Sequence, residues 1–154
     1  MRYKFYRIKT NPLLSAVLLF WSIYWLFNFL DKIFGGKKLN FWVGKNRIDQ
    51  LTNLFNQIGV KNTISIATIF ILITIIELII FYFYHKGLLN ILKNQEVKKP
   101  FLRGTVLSIL LFTFFVAGDV VFGERGEVLE HTIYAILSLL SYTVFFNKPA
   151  KNID

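Results

Sequence analysis

The stretch ISIATIFILITIIELIIFYFY, from Ile64 to Tyr84, contains one charged side chain, Glu77, in 21 residues. At a helical rise of about 1.5 Å per residue it spans about 30 Å, the thickness of a bilayer's hydrocarbon layer. It is too long for a strand and does not alternate strictly. In lipid a lone span must satisfy its own backbone groups, so the segment is expected to be a transmembrane helix. Three further blocks of similar character flank it: Leu13 to Leu30, Thr105 to Phe122, and about Val128 to Phe146. The expected fold is an all-α membrane protein, a four-helix transmembrane bundle filling one domain over 1–154.

Composition agrees with this. Of 154 residues, 55% are hydrophobic, 17 are Phe and only 18% are charged, and the mean hydropathy is +0.51. A soluble domain does not need four near-continuous apolar blocks, so a soluble enzyme and a disordered chain are excluded. With no cysteine in the chain, disulfides, thiolate nucleophiles and Cys-based metal sites are excluded too. The net charge of +9 would suggest nucleic acid in a soluble chain. Here Lys and Arg collect just outside the apolar blocks, where they contact lipid headgroups, and no nucleic-acid partner is expected.

The first block follows a basic start (Arg2, Lys4, Arg7, Lys9), as a signal peptide would. Its long core and the lack of a small-residue cleavage site keep it as a span. Grouped by side, the N-terminus, the 85–103 loop and the tail hold eleven Lys and Arg, against seven in the 31–62 loop and the 123–127 turn. The excess is expected to place both termini in the cytoplasm. Within the long external loop, Ile48, Leu51, Leu54, Phe55 and Ile58 recur at helical spacing, so 47–58 is read as a short amphipathic helix. It lies on the outer membrane surface, caps the bundle, or packs on a partner protein.

Ionisable groups inside hydrocarbon are costly and mark candidate sites. Glu77 lies thirteen residues into the second span, about 20 Å below the outer boundary. Counting to the same depth elsewhere brings up Trp21, Tyr24, Ser108, Thr113, Ser138, Ser141 and Tyr142. A carboxyl group among such hydroxyls is expected to be neutral. Glu77, Tyr24, Ser138 and Tyr142 are therefore candidates for ligand binding or proton handling; the alternative is a protonated Glu holding helices together. On the fourth span Glu127, His131, Tyr134, Ser138 and Ser141 or Tyr142 share one helical face.

A second tier is expected at the outer mouth: Asp31, Lys32, Asp119, Arg125, Glu127, Glu130 and His131, with Glu124 beside them. Asp119 needs a partner, and Lys32 or Arg125 is expected to supply it. Glu127, Glu130 and His131 resemble carboxylate–His ligation, but a di-iron bundle repeats Glu-x-x-His on two helices and this chain has no second copy. The collar reads as a salt-bridged structural ring, or else as a small-molecule or quinone head-group site; no metal is assigned. The spacing of His85 and His131 places them at opposite membrane faces, which excludes joint haem ligation. No hydrolase, P-loop, zincin or dinucleotide signature occurs, so no catalytic residue is expected.

The segment Phe27-Asn28-Phe29-Leu30-Asp31-Lys32-Ile33-Phe34-Gly35 resembles a feature of the DoxX-like membrane proteins, in which the first span tends to end in a G-x-D-K-hydrophobic-x-G-like segment. Here Asn28 or Phe29 stands where glycine is usual. The order of parts is similar as well: an external amphipathic segment, a second span with a central Glu (Glu77), then a basic loop with Arg103 before the third span. The resemblance implies a four-helix inner-membrane protein, with Asp31, Lys32 and Glu77 as important positions. Some members look like the small subunit of thiosulfate:quinone oxidoreductase, and others accompany redox or envelope machinery.

Three functions follow as expectations. The first is an accessory subunit of a larger membrane assembly, with other membrane subunits as partners. The second is a redox-associated protein binding quinone or another lipophilic molecule, and apart from that quinone no cofactor is expected. A proton-coupled channel or transporter comes last, because inverted repeats and broken helices are absent.

Overall fold

A computed structural model describes residues 11–37, 41–42 and 44–146. The basic residues of the two termini, on which part of the orientation argument rests, lie outside these. The described residues form five helices: α1 (Pro12–Phe34), α2 (Arg47–Gln57), α3 (Thr63–Leu92), α4 (Lys98–Phe122) and α5 (Arg125–Phe146). α1, α3, α4 and α5 are each long and apolar enough to cross a membrane, the mark of a multi-pass membrane protein.

Helix starts follow from the local sequence. The side chains of Asn11, Asn46 and Asn62 each accept backbone N–H bonds from the first turn of α1, α2 and α3, which satisfies donors that have no partner within the helix. Pro12 occupies the first turn of α1, where its missing N–H costs nothing. α4 stops at Gly123, whose φ of +79° suits glycine, and Gly123 donates its N–H to the Asp119 carbonyl.

The helices run past the apolar blocks. α3 continues eight residues beyond Tyr84, because Gly87, Leu88 and Ile91 extend its packed face after His85 and Lys86. α4 likewise begins seven residues before Thr105.

The closest-packed pairs are α4 with α5, α1 with α3, and α3 with α4, while α2 touches α1, α3 and α4. α1 and α5 meet through large side chains: Trp21 Nε1 donates to Ser141 Oγ at 3.1 Å, and the Tyr24 and Tyr134 rings lie 5.1 Å apart. The core is aromatic, built on Trp21, Trp25, Tyr84, Phe101 and Phe112, with Leu18 and Ile80. Outward faces stay apolar, for example Ile71, Leu72, Leu110, Leu129 and Val144. A helix apolar on all sides needs lipid or protein around it.

Chain direction puts the α1 C-terminus, α2, the start of α3, the end of α4 and the start of α5 at one end of the bundle. Leu51, Leu54 and Phe55 of α2 turn toward the bundle, and Phe55 meets Phe122 edge-on at 5.4 Å. Ile48 and Ile58 remain exposed.

Candidate functional site

The α2 end of the bundle holds a partly open cavity of about 390 Å³ to which all five helices contribute. α1 supplies Tyr24, Asn28, Asp31 and Lys32, and α2 supplies Arg47, Gln50, Leu51 and Leu54. Phe70, Ile73 and Glu77 come from α3, and Phe115 and Asp119 from α4. Glu127, Glu130, His131 and Tyr134 of α5 complete the wall with Glu124.

Three close side-chain pairs organise the lining. Lys32 Nζ donates to Glu77 Oε1 at 2.6 Å, with Glu77 only 1% exposed. Arg47 Nε donates to Asp31 Oδ2 at 2.6 Å, and Trp42 Nε1 donates to Asp31 Oδ1 at 3.1 Å. His131 Nδ1 lies 2.6 Å from Asp119 Oδ2. Such pairing is what makes charge tolerable at membrane depth, where an isolated ion is strongly disfavoured. The second oxygen of Glu77, Oε2, is buried and has no hydrogen-bond partner.

The route by which Arg47 reaches Asp31 is set by glycines. Gly35 donates its N–H to the Asp31 carbonyl at 2.7 Å, and Gly36, at φ +74°, donates to the Gly44 carbonyl at 2.9 Å. The chain therefore reverses tightly after α1. Gly44 lies so close to Asp31 that a Cβ there would overlap Oδ1 and come within 2.7 Å of Trp42 Nε1. Trp42 is itself stacked on Phe27 with ring centres 5.6 Å apart.

These contacts change the expected pairing. Asp119 was expected opposite Lys32 or Arg125, yet its partner is His131, one helical hairpin away and flanked by Phe112 and Phe115. Lys32 turns instead to Glu77, since its four-carbon stem can lie along apolar surface while the ammonium finds the buried carboxylate. Arg125 is exposed and outside the cavity lining. Glu77 and Tyr24 of the buried tier thus share one site with the collar residues Asp31, Lys32, Asp119, Glu127, Glu130 and His131.

Tyr24 belongs to that site, next to Tyr134, and its carbonyl accepts from Asn28 Nδ2 at 2.9 Å. Ser138 and Tyr142 do not. Ser138 is fully buried in the other half of the bundle, and Tyr142 packs edge-on against Phe101 at 5.7 Å. The hydroxyls expected around Glu77 gather instead near Tyr84, two helical turns further along α3. The Tyr84 hydroxyl lies 3.3 Å from Ser108 Oγ and 3.5 Å from Thr105 Oγ1.

Arg47, Gln50 and Trp42 escaped the sequence reading. The signal for them was Gly35-Gly36 with Gly44: a reversal that tight returns the first turn of the next helix to the end of α1. Neither a protein-family model nor a curated protein nor a solved structure matches this chain.

Proposed function

We propose that this chain is a bacterial inner-membrane protein that binds a small amphipathic molecule in the polar cavity beneath α2. The carrying observation is the cavity itself: about 390 Å³, lined from all five helices. That volume lies within the range of small-molecule pockets, and mixed apolar walls with a few convergent polar groups are their usual chemistry. Leu51, Leu54, Phe70 and Ile73 would face the ligand's apolar part, and the charge pairs around Glu77 and Asp31 its polar head. The resemblance to the DoxX-like proteins agrees with this, because Asp31, Lys32 and Glu77, which carry it, all line the cavity. In this reading both termini are cytoplasmic and the cavity opens toward the outer face, with α2 as its external cap.

Extraction in a mild detergent followed by mass spectrometry of the small-molecule fraction tests the reading. The wild-type chain is expected to retain a low-mass compound that Leu54→Trp, which fills the cavity from α2, releases without unfolding the bundle. Equal retention by both proteins, or by neither, would count against it.

A second reading, as an accessory subunit, draws support from an apolar groove of about 420 Å³ between α3 and α4, lined by Ile69, Leu72, Ile76, Leu107, Leu110 and Phe114. A partner helix in that groove should crosslink to a photoreactive residue at 110 in native membranes. Lipid-only adducts would remove this reading.

A further inference from the structure

The cavity concentrates negative charge in a chain that is otherwise strongly basic. The whole sequence has nine Asp and Glu against eighteen Lys and Arg. Six of those nine acids line this one cavity: Asp31, Glu77, Asp119, Glu124, Glu127 and Glu130. Only two Lys or Arg line it with them, Lys32 and Arg47, and both are engaged, one by Glu77 and the other by Asp31. His131 faces Asp119. Among the described residues Glu124, Glu127 and Glu130 have no ion-pair partner. The positive end of the α5 dipole favours Glu127 in the first helical turn, but the effect fades by Glu130 in the second.

A second observation is independent of that charge count. Glu77 Oε2 is buried and unpartnered. With the Lys32 ammonium 2.6 Å from Oε1, Glu77 is the charged partner of an ion pair and not the neutral acid expected from the sequence. An ionised carboxylate oxygen only accepts hydrogen bonds, so the missing partner of Oε2 is a donor. A quinone carbonyl offers none, and an anionic headgroup meets carboxylates. An ammonium satisfies both the oxygen and the surplus charge. The walls add Tyr24, Phe115 and Tyr134, aromatic faces that attract cations.

We infer that the cavity selects a cationic amphiphile, a protonated amine with an apolar tail, its ammonium donating to Glu77 and facing Glu127 and Glu130. This rests on the cavity-binding reading above and specifies its ligand class.

The test uses the full chain in neutral maltoside detergent and three matched probes: decylammonium, decanol and decanoate. Affinity is read from the concentration dependence of thermal stabilisation, since a ligand that binds the folded state raises the unfolding temperature by mass action. Decylammonium is expected to bind about tenfold or more tightly than either of the others, because hydrogen bonds to charged groups are the strong ones. General attraction to a +9 chain would favour decanoate, so a preference for the ammonium requires a local acidic site. Glu77→Gln should reduce the ammonium's affinity about tenfold. Should that variant not fold, the exposed pair Glu127→Gln with Glu130→Gln decides, and is expected to weaken decylammonium severalfold while leaving decanol unchanged.

Decanol binding as tightly as decylammonium, with both lost in Leu54→Trp, would overturn the cation inference and leave the cavity reading standing. So would ammonium binding indifferent to the Glu127 and Glu130 changes. If none of the three probes shifts the unfolding temperature, both readings fall.

Discussion

Replacing Lys32 with Leu would leave the Glu77 carboxylate, 1% exposed, with neither oxygen paired. Breaking a buried pair from one side costs about 3–5 kcal/mol, whereas replacing both partners with apolar residues is often neutral. Lys32→Leu is therefore expected to lower thermal stability in detergent by that amount, and Lys32→Leu with Glu77→Leu to recover most of it. A double variant no more stable than the single one would show that the pair does not act as a unit. Beside it, Gly44→Ala should displace Asp31 from Trp42 and Arg47, because the new Cβ overlaps the Asp31 carboxylate. The expected loss is about 1–3 kcal/mol, the usual penalty of overpacking, and a change in Trp42 fluorescence would report it. At this scale the sequence was partly legible. Glu77 stood out because it interrupts an apolar run, and Asp31 and Lys32 because they end one. Partner choice was not legible, since it depends on the reach of Lys32 and on the glycine reversal that returns Arg47 to Asp31, neither of which is a property of one-dimensional spacing.

The helices pack where small residues let them approach. A Cβ on Gly104 of α4 would stand 3.2 Å from the Tyr84 ring, and one on Gly87 of α3 would stand 3.1 Å from Leu18 of α1. Tyr84 cannot easily yield, because Trp21 stacks on it at 5.9 Å and Phe101 closes edge-on at 5.7 Å. Gly104→Leu is thus expected to force α3 and α4 apart at a cost of about 1–3 kcal/mol, while Gly126→Leu, with open space around it, should cost far less. Thermal unfolding of the two variants side by side checks this, and equal losses would contradict the close-approach argument. Hydropathy located all four long helices because continuous apolar character is a strong signal. It underestimated α3, which at 30 residues is about 45 Å long and outruns a hydrocarbon layer of about 30 Å. Depth counted from Ile64 placed the hydroxyl of Ser108 level with Glu77, whereas it packs against Tyr84, two turns further along α3, because spacing along one helix does not fix how its neighbours are offset against it.

Taken whole, the sequence divides its charge unevenly between the segments that flank the two sets of helix ends. Grouped by the helix ends they flank, eleven Lys and Arg lie on the side of the termini and the 85–103 segment, with only Glu96 and Asp154 as acids. The other side has seven Lys and Arg against seven acids, counting Glu77. The entire formal charge of +9 therefore belongs to the terminal side. Orientation responds to Lys and Arg near the span ends rather than to net charge, and there too the contrast sharpens: Lys32 and Arg47 are held in ion pairs with Glu77 and Asp31. The terminal side should accordingly face the cytoplasm and the cavity the outside. Because the chain has no cysteine, single reporters can be introduced without background. Lys45→Cys and Gln95→Cys occupy exposed positions at opposite ends. In spheroplasts a membrane-impermeant maleimide is expected to label the first and spare the second until the membrane is permeabilised. The opposite pattern would turn the molecule over, and any amphipathic ligand would then have to reach Glu77 from the cytoplasm.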